Sequence, residues 1–330
     1  MISSPLRKDD IFPFPSQLIS NSNDLKNHLK LRDCYEKYVL PDMKDSPEGT
    51  LSVYRTALNH WEARTSNPNV GEITNESLRE FKETFELEKY SPESIKKYWR
   101  HIRRILRRVG PPIQGNPLGE SIIERVPYMA PPKKRFRKFP RLVTDEEINA
   151  VYHACDVAKW PYTSDCPPLL WRLALVVFFN CGPRTQDFFQ LLWENVDLKM
   201  RRVSFVAQKT SKLQGVPFQE IVGLHFESVF QNQKKTDRVF RSTKCKRTLY
   251  DQWKAIQDSA GIKEYIEFRD LRETCSSRLD AANPGAKAGK WVLGHGGRGV
   301  NEVYYLNPSP EVIQAVENLE QPDSFYSILE

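Results

Sequence analysis

From Thr50 onward, apolar residues recur at three- and four-residue spacing, with Leu51, Tyr54, Leu58 and Trp61 on one helical face. Asn67-Pro68-Asn69 breaks that pattern. A second helix is predicted from Thr74, with Leu78, Phe81 and Phe85 on one side. A third opens on Ser91 as N-cap, Pro92 at the first helical position and Glu93 in the first turn. Its apolar side holds Ile95, Tyr98, Ile102 and Ile105 or Leu106. Ahead of these, Asn23-Asp24 can cap a short helix through Leu25, Leu29 and Leu31 toward Tyr35 and Tyr38. Residues 1–46 therefore read as an N-terminal arm or a first packing helix.

The second half of the chain has a different pattern. Thr144-Asp145-Glu146-Glu147 forms a capping box, followed by Ile148, Val151 and Tyr152 on a buried side. Leu169 to Phe179 is nearly all apolar and helix-length, which predicts a buried central helix ended by Gly182. Residues 199–206 read as a strand and 215–222 as its partner, joined by a turn over 208–214. Helical patterns follow around 249–260, 271–281, 288–292, 301–306 and 311–319. Between the two halves, Pro117, Pro127 and Pro131-Pro132 resist regular structure. The expectation is a mainly α (α+β) chain: a helical domain over 47–115, a basic Pro-rich linker over 116–141, and a mostly helical domain with a small antiparallel sheet over 142–330.

Length and charge narrow the class. A chain of 330 residues suffices for two ordinary cores. The six cysteines show no paired spacing, so neither a disulfide framework nor a structural zinc is expected. No basic-then-apolar leader and no apolar run of membrane-spanning length stand out, which predicts a soluble, cytoplasmic protein without a membrane partner. The formal net charge of +7 is unevenly spread. Lys96, Lys97, Arg100, Arg103, Arg104, Arg107 and Arg108 crowd the third helix, with Glu93 the only acid among them. A charge run is ordinarily a solvated face, but like charges at helical spacing repel. A DNA backbone would relieve that repulsion. Lys133, Lys134 and Arg135 extend the positive surface into the linker.

Four short stretches carry candidate chemistry. Cys181-Gly182-Pro183-Arg184-Thr185-Gln186-Asp187 sets an arginine just past the buried helix, with an acid one turn on. Gln208-Lys209-Thr210-Ser211-Lys212 puts Lys209 at the predicted hairpin tip, with Lys212 as the second candidate. Phe268-Arg269-Asp270-Leu271-Arg272 aligns two arginines on one helical face, where both can grip phosphate oxygens. Leu293-Gly294-His295 is followed, nine and ten residues after the histidine, by Tyr304 and Tyr305. Singly, these residues have bland readings: a surface ion pair, a solvated lysine, a structural histidine. In this order they point to cations gathered round a phosphate that a phenol attacks. Arginines can neutralise the charge that a divalent metal handles elsewhere, so no metal or other cofactor is expected.

In order and spacing the stretches resemble the tyrosine recombinase (phage integrase) family, closely over 142–330 and more loosely over the helical region before. The resemblance implies a core-binding (SAM-like) domain that clamps one face of duplex DNA, ahead of the catalytic domain. It implies that Arg184, oriented by Asp187, holds the phosphate together with Arg269, Arg272 and His295. Lys209 would protonate the departing 5′ oxygen while a tyrosine forms a 3′-phosphotyrosyl link. The family's commonest His-to-Tyr interval selects Tyr304, whereas the following Leu306-Asn307-Pro308 selects Tyr305; Tyr304 is the first choice. Two positions depart from the family: Pro183 where leucine is usual, and Arg269 where histidine is usual. An arginine can hold phosphate but cannot accept the tyrosine proton.

The resemblance also implies a homotetramer on two double-stranded DNA sites, accessory DNA-bending proteins and a nucleoid-associated location. The C-terminal helix would dock on a neighbour through Val312, Ile313 and Val316. Type IB topoisomerases share the chemistry, and a recombinase-derived DNA-binding protein that no longer cleaves is the alternative from another class.

Overall fold

In the computed structural model the described residues are 28–111, 121–133, 141–162, 164–207, 212–241, 246–285, 287–294 and 308–329. The chain divides into two units, Met1–Arg137 and Lys138–Glu330.

The first unit contains α1 (Leu31–Cys34), which widens into a π-helical turn over Tyr35–Val39, then α2 (Glu48–Arg64), α3 (Asn75–Leu87) and α4 (Pro92–Val109). The capping signals form as read: Ser91 accepts from the Ser94 N–H at 3.2 Å, and Thr74 caps α3. Trp61, Leu78, Phe81, Phe85 and Ile102 are fully buried, and so are both Ile105 and Leu106. Leu31, Cys34 and Tyr35 join this core, so residues 31–35 pack as a first helix rather than trail as an arm. The Asn23-Asp24 cap lies outside the described residues.

Residues 121–133 form no helix or strand, as their prolines predict, yet they are not free. Ile123 and Met129 are buried in the first core. The Ile122 and Ile123 N–H groups donate to the Val109 carbonyl at 2.8 and 3.1 Å, and Tyr128 N–H donates to Asn75 Oδ1 at 2.7 Å. This part of the expected linker is a strap on the bundle. Its apolar residues lack a helical or strand period, which is why the sequence pattern concealed them.

In the second unit, α5 (Asp145–Ala154) carries the reciprocal Thr144–Glu147 box. The central helix α6 (Pro167–Cys181) packs against α8 (Glu220–Val229) and α10 (Phe268–Ala282), with α7 (Thr185–Phe189) following its end. Leu173 through Phe179 are all buried. The sheet is antiparallel in the order β1 (Val196–Asp197), β2 (Arg202–Ala207), β3 (Lys212–Pro217), with Phe205 opposite Gln214. The last strand differs from the expected 215–222: it begins earlier, and the chain is helical from Glu220. Pro217 has no N–H for a further ladder bond. Ile221, Val222 and Phe226 bury at helical spacing instead. Then come α9 (Lys246–Ser259), α11 (Ala288–Val292), α12 (Pro310–Glu317) and a 3-10 turn over Asp323–Leu329. The fold is mostly helical with one small antiparallel sheet. No helix of the described residues is long and apolar enough to cross a membrane.

The C-terminal segment packs at home. Val312, Val316 and Phe325 belong to the core of their own unit, and only Ile313 of the expected neighbour-facing trio is exposed. Gln219 Nε2 donates to the Glu317 and Leu319 carbonyls at 2.9 Å each, and Arg278 donates to the Glu320 carbonyl. The expected apolar docking face is therefore mostly covered by this chain itself.

Candidate active site

Gly182 ends α6 in the left-handed conformation at φ 53°, its N–H bonded to the Phe178 carbonyl. A side chain there would also collide with Leu293, since a Cβ would lie 2.9 Å from the Leu293 Cδ2 atom. The turn brings Arg184 to the N-cap of α7 in extended geometry. Its guanidinium is half exposed and lies 3.4 Å from Asp187 Oδ2, while that carboxylate is only 4% exposed. A buried acid thus orients a cation that faces outward.

Arg272, on α10, joins two of the motifs. Its Nη1 donates to the Gly182 carbonyl and its Nη2 to the Leu293 carbonyl at 2.7 Å. Burial, and then the charge of Arg184, pull its pKa down to about 10. Arg272 remains protonated at neutral pH, and an anion beside the two guanidiniums would relieve their repulsion. Arg269 shares α10 but not this environment. Its side chain is 72% exposed, and its Nε is 3.8 Å from Glu273 Oε1. Arg272 is built into the fold; Arg269 stands on the surface.

Gly294, the residue before His295, adopts φ 63°. Lys209, His295, Tyr304 and Tyr305 lie outside the described residues, as do Lys134 and Arg135. The structure thus brings together Arg184, Asp187, Arg272 and the Leu293-Gly294 turn.

The phage integrase family model matches residues 141–307, the stretch that holds all four motifs and both tyrosines. The chain belongs to the phage integrase family. Its fold is similar to a lambda integrase dimer bound to a COC' core site (16% identity, 91% of this chain and 82% of that chain covered, TM-score 0.61). It is also similar to a lambda integrase tetramer bound to a Holliday junction (15% identity, 88% and 83% covered, TM-score 0.62). The Tn1549 transposon integrase in complex with transposon right end DNA matches at 12% identity, with 87% and 98% covered and a TM-score of 0.62. At these identities the shared property is the fold. No curated protein sequence matches the chain.

Two features of this integrase-family chain lay beyond the motifs. Gln214, on β3, donates to the Trp291 and Val292 carbonyls, tying the sheet to the turn before His295. Cys275 lies under the Gly182 turn and donates to the Asn180 carbonyl at 3.2 Å, with burial pushing its thiol up to about 12. No sequence pattern singled out either residue.

The basic helix α4 divides into two groups. Arg100, Arg104 and Arg107 are exposed; Lys96, Lys97 and Arg103 are half-buried, with Lys97 over the Tyr98 ring and Arg103 near the Tyr128 ring. Lys133 is exposed. Arg108 departs from the expected set: it is 17% exposed, pairs with Asp42 at 2.7 Å and donates to the Tyr38 carbonyl at 2.9 Å. Its side chain fastens the first helix to α4.

Proposed function

We propose that this phage integrase family member is a site-specific recombinase that cuts and rejoins double-stranded DNA through a 3′-phosphotyrosyl intermediate. The observation that carries the reading is the seating of Arg272 between the Gly182 and Leu293 carbonyls, beside Arg184. It converges two motifs far apart in sequence on one place suited to a phosphate.

Tyr304, with Tyr305 as the alternative, gives up its proton to solvent and attacks the phosphorus as phenolate, forming the P–O bond to the tyrosine as the bond to the 5′ oxygen breaks. A phenol has a pKa of about 10, and the neighbouring guanidiniums favour its ionised form. Arg184, Arg272 and His295 hold the non-bridging oxygens and stabilise the charge of the pentacoordinate state, with Arg269 as an outer cation. Lys209 gives its proton to the departing 5′ oxygen, because an alkoxide is a poor leaving group. A 5′-hydroxyl from the partner strand then attacks the phosphotyrosine and reverses the step. The bond energy is kept in the covalent link, so the reaction requires no ATP.

In this reading, Arg100, Arg103, Arg104, Arg107, Lys96 and Lys97 contact the DNA backbone, with Lys133 to Arg135 continuing the grip. The neighbours described above as a dimer and a tetramer on DNA support assembly of several copies on two sites; a nucleoid-associated location and accessory DNA-bending proteins belong to the same reading. The exposed position of Arg269 favours a second reading, a DNA-binding protein with little cleavage. The test is substitution of each tyrosine by phenylalanine: Tyr304→Phe abolishes covalent trapping on DNA while Tyr305→Phe retains it. Trapping that survives both changes overturns the mechanism.

A further inference from the structure

The turn that leads into His295 is held by side chains from two directions. Arg272 takes the Leu293 carbonyl, and Gln214 takes the two carbonyls before it, Trp291 at 2.9 Å and Val292. A helix end leaves such carbonyls without intrahelical partners, so side-chain donors determine where the end sits. Gln214 also meets the turn from its other amide atom: its Oε1 lies 2.5 Å from the place a Cβ on Gly294 would occupy. The φ of 63° calls for glycine at 294, and a Cβ there would displace the Gln214 amide.

Gln214 sits in β3, opposite Phe205, five residues after Lys209 in sequence. One half-buried side chain therefore links the strand continuous with Lys209 to the turn continuous with His295. We infer that Gln214 is a positioning residue: it locks the hairpin that carries the general acid to the frame that holds the phosphate. The inference rests on the recombinase reading above. Proton transfer to the leaving oxygen needs the donor at hydrogen-bond distance, and a misplacement of about 1 Å costs on the order of a hundredfold in rate.

A bridging sulfur in place of the 5′ oxygen separates positioning from general damage. Tyrosine attack then breaks a P–S bond and releases a thiolate, which leaves without being protonated. The test uses full-length protein and a duplex selected from a randomised pool for binding to it. The scissile position is mapped by covalent trapping, and the duplex is remade with oxygen or sulfur at that bridge.

Gln214→Met keeps the length of the side chain and removes its donors. The expected result is cleavage of the oxygen duplex slowed about a hundredfold, cleavage of the sulfur duplex within about tenfold of wild type, and unchanged binding. Lys209→Ala is the control. If sulfur rescues Lys209→Ala but not Gln214→Met, or if Gln214→Met cuts the oxygen duplex at the wild-type rate, the role of Gln214 is overturned. If sulfur fails to rescue Lys209→Ala, Lys209 is not the general acid and the role of Gln214 falls with it; if wild type cuts neither duplex, the recombinase reading fails instead. Hydrogen exchange then still decides the pin: Gln214→Met raises exchange at the Leu293 and Gly294 amides, and unchanged exchange there overturns it.

Discussion

The Arg272 guanidinium is hydrogen-bonded to the Gly182 carbonyl, across 90 residues of chain. A second bond reaches Leu293, so one half-buried cation determines how the end of the central helix faces the turn before His295. This arrangement gives Arg272 two duties, holding the turn and presenting charge. Arg272→Lys is expected to fail at both, because an ammonium cannot present the planar fork that spans two carbonyls. Covalent trapping on DNA should fall by at least a hundredfold, the scale seen when one oxyanion donor is lost. Urea unfolding should also show a loss of about 1.5–3 kcal/mol per charge-assisted bond removed.

Gly182→Ala tests the turn without touching a cation. The left-handed backbone costs about 1–2 kcal/mol for a residue with a Cβ, and that Cβ would press on Leu293. A stability loss of about 2–4 kcal/mol is expected by chemical denaturation, with overpacking adding to the backbone cost.

The basic helix offers a contrast between neighbours. Removing Arg100, Arg104 or Arg107 should weaken DNA binding on all sequences and lower the salt slope by about one per residue, measured by titration at several salt concentrations. Arg108→Ala should act on stability instead, because its partners are Asp42 and the Tyr38 carbonyl.

Acid should destabilise the second unit through His225. This residue is fully buried, bonded to the Tyr152 hydroxyl at 2.8 Å and to the Ile221 carbonyl. Burial first, and the charge of Arg172 to a lesser extent, lower its pKa to about 4. The unfolded chain then binds the proton more readily than the fold does. Its contribution is present in full above about pH 6.5 and is lost as the pH falls through about 4. The whole effect is about 3 kcal/mol. Unfolding followed from pH 7 to 4 should show that slope, and His225→Gln should flatten it.

Much of this was legible in the sequence where a local rule has one physical solution. Ser91-Pro92 and Thr144 with Glu147 are caps, and they cap. Gly182 supplies the positive φ that ends a buried helix. Arg184 with Asp187 reads as a pair because an acid three residues into a helix lies within reach of its N-cap residue. Legibility failed where long-range packing decides. Val222 and its neighbours suit either a strand or a buried helix, and in the fold the chain is helical from Glu220. Ile123 and Met129 bury without any period. Gln214 and Arg108 look like ordinary polar side chains until distant carbonyls are brought to them. The cis-packed C-terminal segment was hidden for the same reason, since its amphipathic pattern does not say which chain it covers.

In the proposed mechanism the cation cluster serves a tyrosine nucleophile. The most direct measurement incubates the full chain with a nicked duplex bearing its selected site, then maps any protein–DNA adduct by peptide mass. A covalent species is expected on the peptide containing Tyr304 and Tyr305, with fragmentation placing it on Tyr304. Specific binding to a verified site with no adduct on either tyrosine would contradict that mechanism and leave the chain a DNA-binding member of its family.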